Sequence, residues 1–323
     1  MTTLTTSFNQ STAHQRDKKF LILLTAMMGL GIMTTVAGYI LSSNLLTREK
    51  QKIFNRDAEK IQQLVEERML AHVNTLRSLQ ALWNSHNDLV KQKEFGLFLN
   101  TLNVFYDYPG ISSIGFAKRV GDQLPTTYIE PLAGRENTLG YDNAADPIRK
   151  PFFDLARDAG EIVSSAPLTL ITTKRPGFFL IAPLYQTGEP PRSLSERQKQ
   201  LTGFIVMVFR ETELFKAIFG RENPLPDLDF AIYHQNILDP DHLLFDSDPE
   251  FDPAAYTQKL QTNKYVTVGQ SPWTIIVNAK PSFGLTKAEE NLPLTMLAVG
   301  LTLCGIFGLI LLFFFRQHLK KWH

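Results

Sequence analysis

EPLAGRENTLGYDNAADPIRKPFFDLARDAGEIVSSAPLTLITTKRPGFFLIAPLY, residues 130–185, changes texture twice within one stretch. A loop rich in Gly, Asn and Asp gives way at residues 147–159 to helical spacing that stops at Gly160, a residue suited to the position after a helix. A β-rich run follows, and in Phe178-Phe179-Leu180-Ile181-Ala182 alternate side chains give one face of a sheet to a core or pocket. Outward from it lie further short β-branched and aromatic runs: ISSIGFAKRV (111–120), TTYIEPL (126–132), TGFIVMVFRE (202–211), DLDFAIYHQ (227–235), HLLFDSD (242–248), YVTVGQ (265–270) and WTIIVNAKP (273–281). Turn residues punctuate them. Residues 211–219 read as a second short helix, with Leu214, Phe215, Ile218 and Phe219 on one face and Gly220 as its stop. Residues 186–201 are polar and Pro-bearing, an exposed hairpin-like excursion, and NPLPD at 223–227 is the best internal boundary. Helices and antiparallel strands mix without regular βαβ alternation, so the fold class is α+β.

Two uncharged apolar runs bracket this segment, residues 20–41 and 292–315. Either is long enough to cross a hydrocarbon core of about 30 Å as a helix. Arg16, Lys18 and Lys19 precede the first, and Arg316, Lys320 and Lys321 follow the second. Both basic flanks predict a cytoplasmic location, leaving residues 43–290 extracytoplasmic in a two-pass protein of the inner (plasma) membrane. Tyr39 and Trp322 sit where amphipathic rings favour the headgroup level. A cleaved signal peptide is the alternative for the first run, but the run is long for one, and LSSNLLTREK lacks an A-x-A site. Gly29-x-Gly31 opens no dinucleotide fingerprint, since Thr34 stands where the third glycine belongs.

Residues 43–89 predict one long stalk helix. Phe54, Ala58, Ile61, Val65, Met69, His72, Leu76, Leu79 and Trp83 recur at spacings of three and four. A stripe that long exceeds what its own domain is expected to cover, so it predicts a parallel homodimer; the alternative is packing wholly within one chain. His72 reads as a polar residue of the seam rather than a metal ligand, because Leu76 occupies the i+4 position.

The net charge of +1 argues against nucleic acid as a partner. Cys304, the sole cysteine, lies in the second apolar run, so the outer segment folds without an internal disulfide. No G-x-S-x-G elbow, H-E-x-x-H, P-loop or Cys/His metal spacing occurs. No enzymatic activity, cofactor or metal is therefore expected. The chain ends eight residues past the second run, which predicts a separate output protein rather than an attached kinase or cyclase.

Tyr108-Pro109-Gly110, Gly115-Phe116, Glu130-Pro131, Gly140-Tyr141-Asp142, Arg149, Ala156-Arg157, Gly160, Ser165-Ala166-Pro167-Leu168, Gly177-Phe178, Pro183-Leu184-Tyr185 and Gly203-Phe204 follow one another in an order that resembles the CHASE family. These are extracytoplasmic sensory domains found before histidine kinases and nucleotide cyclases. The resemblance covers about 95 residues. It implies a stalk helix followed by two PAS-like units, the first carrying a small-molecule pocket, in a dimeric receptor. The implied division is a cytoplasmic tail (1–19), a transmembrane helix (20–42), the stalk (43–89), a membrane-distal ligand-binding PAS-like unit (90–222), a membrane-proximal PAS-like unit (223–290), a second transmembrane helix (291–315) and a cytoplasmic tail (316–323).

The candidate ligand-binding residues are Arg149, Asp142, Tyr141, Ser165, Leu168, Thr169, Phe179 and Ile181. Arg149 is the expected anchor, because a guanidinium fork holds a carboxylate or phosphate in two bonds. It serves otherwise as a helix-surface charge or as a structural partner of Asp142 or Asp146. Ser164, Ser165 and Thr169 offer hydroxyls to a ligand or to neighbouring backbone. By alignment with the plant cytokinin receptors of the family, the base-recognising aspartate falls at Arg149 and a hydroxyl-bearing strand residue at Ile181. An acceptor has become a cation and a donor a hydrocarbon, so the expected ligand is anionic or amphipathic rather than a purine held in that way. The reading is a membrane receptor signalling to a separate cytoplasmic or membrane protein. The alternatives are a truncated or split half of a histidine kinase or diguanylate cyclase receptor, and a two-span cell-envelope assembly protein built as an extended helical bundle.

Overall fold

Apolar residues every three or four positions, with no breaker between the first apolar run and the stalk, yield one helix, α1 (Thr3–Ser85). The computed structural model describes residues 3–86, 90–220, 225–252, 254, 260–284 and 286–320, with side chains from 18 to 317. The expected boundaries at 89 and 222–223, with Lys321, Trp322 and the side chains of Arg16 and Lys320, lie outside the described residues. Two compact units form, residues 1–53 with 284–323, and residues 54–283.

In the first unit α1 pairs with α7 (Lys287–Lys320). Phe20 stacks on Phe315 with centroids 4.2 Å apart, a Cβ at Gly31 would lie 2.9 Å from Cys304 Sγ, and Lys50 meets Glu290 at 3.2 Å. The pairing is therefore antiparallel, with small residues at the points of closest approach. Leu30, Met33, Leu303, Leu309 and Phe314 point outward, and both helices are long and apolar enough to cross a membrane.

The second unit holds two antiparallel sheets. The first has the order β2-β1-β6-β5-β3, with β4 also pairing β5: β1 (Ile111–Lys118), β2 (Thr126–Glu130), β3 (Val163–Ser164), β4 (Leu168–Thr169), β5 (Pro176–Tyr185) and β6 (Leu201–Arg210). The second has the order β8-β7-β10-β9, from β7 (Leu228–His234), β8 (Leu243–Asp246), β9 (Gln261–Val268) and β10 (Ser271–Ala279). Helices α2 (Gln92–Thr101) and α3 (Val104–Asp107) lead into β1. Helix α4 (Lys150–Ala159) ends on Gly160, whose positive φ of 74° closes it, and α6 (Glu211–Phe219) ends before Gly220. The polar excursion is exposed as expected, but residues 194–200 in it form a helix, α5 (Leu194–Gln200), started by a Ser193–Glu196 capping box.

All nine stripe residues from Phe54 to Trp83 are buried within one chain. Phe54 meets Phe283 edge-on at 5.8 Å, Gln62 donates to the Tyr265 carbonyl, His72 packs on Phe209 at 4.9 Å, and Trp83 packs on Phe116 at 4.7 Å. This corrects the expectation of a surplus stripe shared with a second copy. The helix is long, but two sheets lie end to end along it and cover it. His72 is accordingly a core residue, edge-on to Tyr108 and Phe209, and not part of a seam between copies. An extended helical bundle, required by the assembly alternative, is not the architecture.

The two sheets are joined where the β9–β10 turn meets β3. Val163 bridges Gly269, the Gln270 amide donates to the Ile162 carbonyl at 2.8 Å, and Ser271 Oγ accepts from the Ser164 amide at 2.9 Å. His234 Nε2 donates to the Ser164 carbonyl at 3.0 Å, which assigns the proton to that nitrogen. Gly269 has a φ of +64°, and a Cβ there would run into the Ile162 carbonyl, so only glycine fits.

Burial, with the Arg68 charge adding to it, lowers the His72 pKa to about 3; burial lowers that of His234 to about 4. An unfolded histidine takes up its proton near pH 6.5, so between there and the folded values the unfolded chain binds more protons, and stability is lost as the pH is lowered. Burial pushes the Glu211 carboxyl up to about 8, which acts in the opposite sense across the same range. The readout is therefore the difference between variant and wild type. Between pH 6 and 5, His72→Leu is expected to remove a destabilisation of up to about 1.4 kcal/mol per pH unit, measured by chemical denaturation of the detergent-solubilised chain. Parallel pH profiles for the two proteins would show that His72 is not buried in the neutral form.

Candidate functional site

On β5 and β6 the register sets Phe178 opposite Phe209, Phe179 opposite Val208, Leu180 opposite Met207 and Ile181 opposite Val206. Alternation sends Phe178 and Phe209 toward α1 and leaves Phe179, Val206 and Val208 on the other face. The central position of β6 brings β1 alongside, with Ser113 and Gly115 opposite Val208 and Val206. The loop between β2 and α4 arches over these strands and closes a cavity with Thr126, Ile129, Thr138, Tyr141, Asn143 and Arg149, together with Leu170, Ile171 and Thr172. It leaves about 60 Å³ for the centres of water-sized atoms, several times the roughly 10–15 Å³ that one water needs. Its walls are mostly apolar with a few convergent polar groups, the usual composition of a small-molecule site.

Arg149 is the sole charged residue among the described lining residues and is 5% exposed. Its Nη1 donates to Asp146 Oδ2 and to the Tyr141 hydroxyl, both at 2.6 Å, and its Nη2 donates to the Thr169 carbonyl at 3.2 Å. The guanidinium also lies over the Tyr141 and Phe179 rings, 5.0 and 5.7 Å from their centroids. Nε is buried and has no hydrogen-bond partner among the described residues. Burial alone would raise the Asp146 pKa. The Tyr141 hydroxyl, the Ile148 and Arg149 amides and the Arg149 charge outweigh it and hold the carboxyl below its ordinary value. Burial and the hydrogen bond to Asp146 raise the Tyr141 phenol against the opposing Arg149 charge, so it remains a neutral donor. The cluster is a neutral Asp–Arg–Tyr unit in which the guanidinium has spent three of its five N–H groups, leaving Nε–H and one Nη2–H to offer.

Of the eight candidate residues, Arg149, Tyr141 and Phe179 come together in the lining. The other five lie outside it. Asp142 Oδ1 accepts from the Leu124 and Ala144 amides at 2.8 and 2.9 Å, bracing the loop. Ser165 Oγ donates to the Ala166 carbonyl and accepts from the Phe179 amide, both at 2.9 Å, and Ser164 Oγ donates to the Ser165 carbonyl. Leu168 and Ile181 belong to the apolar cluster with Phe153 and Ala156 of α4. The Thr169 side chain is exposed, and only its carbonyl reaches Arg149. Arg149 pairs with Asp146, one of the two partners anticipated for it. Residues missed by sequence reasoning include Ser113, Thr126, Thr138 and Asn143. Strand alternation through Ser113, Gly115 and Ala117 was the available signal for the first. Asn143 Nδ2 donates to the Leu124 carbonyl at 3.1 Å and to Thr126 Oγ1 at 3.2 Å, fixing the loop to β2.

Residues 121–245 match the model of the CHASE domain family, a segment that opens just after β1 and runs into β8. No curated protein sequence matches the chain. Among solved structures, the chain is similar to an extracellular ligand-binding receptor from Desulfohalobium retbaense, at 9% identity and a TM-score of 0.51 over 70% of this chain. It spans 40% of that receptor's length. It is also similar to the ligand-binding domain of the Campylobacter jejuni chemoreceptor Tlp3 in complex with L-valine, at 9% identity and a TM-score of 0.50, over 78% of this chain and 98% of that one. At these identities the likeness is one of fold.

Removing one member of the buried ion pair leaves unequal remainders. Asp146→Asn strands a guanidinium whose side chain is 6% exposed, and a destabilisation of about 3–5 kcal/mol is expected for an uncompensated buried charge. Arg149→Met leaves Asp146 with the Tyr141 hydroxyl and two backbone amides, so its cost is expected to be smaller. Denaturation of both variants in detergent checks the order, and the reverse order would mean that the carboxylate, not the guanidinium, is the more deeply dependent partner.

Proposed function

We propose that this chain is a two-pass inner-membrane receptor whose extracytoplasmic CHASE domain binds a small molecule in the cavity between β1, β5, β6 and the Thr138–Arg149 loop, and signals to a separate output protein. The observation that supports it most is the Arg149 unit. A buried, pre-oriented guanidinium with an unspent Nε–H faces a mostly apolar cavity, and a ligand acceptor would complete it. Because Asp146 already balances the charge, the ligand group beside Arg149 is an acceptor that need not carry charge itself.

Transmission would use the join between the sheets. β3 lies beside β5, whose Phe179 lines the cavity, and it is bonded to the β9–β10 turn. β10 then continues in sequence toward α7. A ligand that shifts β5 would shift β10 through these bonds, provided it binds the two arrangements unequally.

The test is a thermal-shift panel on the full chain in lipid nanodiscs, with purines, organic acids and amino acids. Amino acids are included because the Tlp3 domain is complexed with L-valine. One chemical class is expected to give a saturable rise in Tm. Val208→Phe, which fills the cavity from β6, is expected to abolish that rise while leaving the unliganded Tm within a few degrees. A response that survives Val208→Phe would place binding elsewhere, and a flat panel would remove the sensor reading.

A further inference from the structure

Two more arginines stand at one end of the cavity sheet. Arg210 closes β6 two residues beyond Val208, so alternation puts it on the same face of the strand. Its partner on β5 is Gly177, which sets no side chain beside it, and its amide donates to the Gly110 carbonyl at 3.0 Å. Arg135 lies in the turn after β2. Thr138, a lining residue, donates its amide and its hydroxyl to the Arg135 carbonyl, at 3.0 and 2.7 Å. Glu130 at the end of β2 pairs with Ile114 near the start of β1, and Ile111 pairs with Phe209 near the end of β6. Turn and strand end therefore emerge at the same edge of the cavity.

The two guanidiniums are poorly matched by acids. Arg135 spends Nη1 on the Pro131 and Ala133 carbonyls at 3.3 and 3.0 Å. Arg210 reaches Glu213 only at 3.5 Å, and that carboxylate is shared with Arg175 at 3.9 Å. Burial, and after it the charge of Arg210, lower the Arg135 pKa against the pull of Glu136, so the two cations feel each other. Both Nε atoms are buried without a hydrogen-bond partner among the described residues. Glu211, next to Arg210 in sequence, does not supply the missing acceptor. Its carboxyl is desolvated, and its Oε1 is itself unpartnered among the described residues. Like charges gathered with unspent donors are matched by an oxyanion, which accepts from both forks at once.

We propose that Arg135 and Arg210 form an oxyanion site at the end of the cavity, and that it holds the carboxylate or phosphate of a ligand whose other end lies beside Arg149. The second half rests on the receptor reading; the first does not. The ligand would then be an anion by virtue of this pair, with Arg149 contributing geometry.

Inorganic phosphate and acetate test the site without knowledge of the ligand. The full chain in nanodiscs is titrated with either sodium salt against sodium chloride at constant ionic strength and pH, reading Tm. Wild type is expected to show a saturable rise above the chloride baseline, and the tighter anion identifies the ligand group. Arg135→Gln and Arg210→Gln are each expected to weaken it at least tenfold, while Arg175→Gln, 72% exposed, stays within twofold. Arg135 sits on a turn outside the sheet, so Arg135→Gln keeps the test decisive if Arg210→Gln fails to fold. No anion-specific rise in wild type, or a rise that survives Arg135→Gln, overturns the site. An anion response with a flat organic panel would uphold the site and remove the receptor reading. An organic ligand that binds without any anion response would do the reverse.

Discussion

The burial of one helical stripe organises the unit formed by residues 54–283. From Phe54 to Trp83, nine side chains on α1 are covered, and the covering residues come from both sheets. Each fully buried large apolar side chain contributes about 1.5–3 kcal/mol, so neither sheet on its own could satisfy a stripe roughly 44 Å long. Gln62 and Gln80 reinforce the packing by donating to the Tyr265 and Pro183 carbonyls, at 2.9 and 2.8 Å, one in each half of the unit. The first sheet is consequently buried on both faces, one against the helix and the other toward α4 and the cavity. A cavity backed by a doubly covered sheet has walls that are costly to move independently of one another.

That rigidity gives meaning to the place where, among the described residues, the sheets are bonded directly. The Ser164 backbone is engaged from both sides, by Ser271 and by His234, while Gly269 allows the turn to approach Ile162 without a side chain between them. Phe152 of α4 lies edge-on to His234 at 6.0 Å, so the helix that closes the first core also touches the join. Around it Trp273 bridges Phe178 of the first sheet and Phe215 of α6, at 5.3 and 6.5 Å. The join is aromatic and hydrogen-bonded, and it is more than a chain crossover.

Much of the element pattern was legible because it depends on near neighbours. The three- and four-residue spacing of the stripe marks α1, Gly160 and Gly220 end α4 and α6, and the β-branched runs fall on strands. What covers the stripe was not legible, since it depends on Phe283 returning to Phe54 across most of the chain. The same holds for the cavity. Phe179 and Ile181 share a face of β5 and belong to the same apolar cluster under α4, yet of the two only Phe179 also lines the cavity. Asp142 and Asp146 are equally plausible partners for Arg149 by spacing. The loop turns Asp142 onto the Leu124 and Ala144 amides and leaves Asp146 for the guanidinium. Asn143 and Ser113 are brought together only by the order β2-β1-β6-β5, a long-range fact that no local pattern encodes.

The Arg149 unit and the Arg135–Arg210 pair illustrate two different uses of the same side chain. A buried pair such as Arg149 with Asp146 gains little net stability, because desolvation offsets most of the attraction. What it offers is orientation: a fork fixed by a carboxylate, a phenol and a carbonyl holds its unspent Nε–H and Nη2–H in fixed directions. Charge recognition cannot come from a unit already neutralised. It falls instead to arginines whose acids are distant or shared, as they are at the strand end. On the proposed reading, a ligand is selected for shape and acceptor placement within the cavity and for negative charge at its edge. The expectation of an anionic ligand then survives, but its basis moves from Arg149 to a pair of residues that the sequence alone gave no reason to associate.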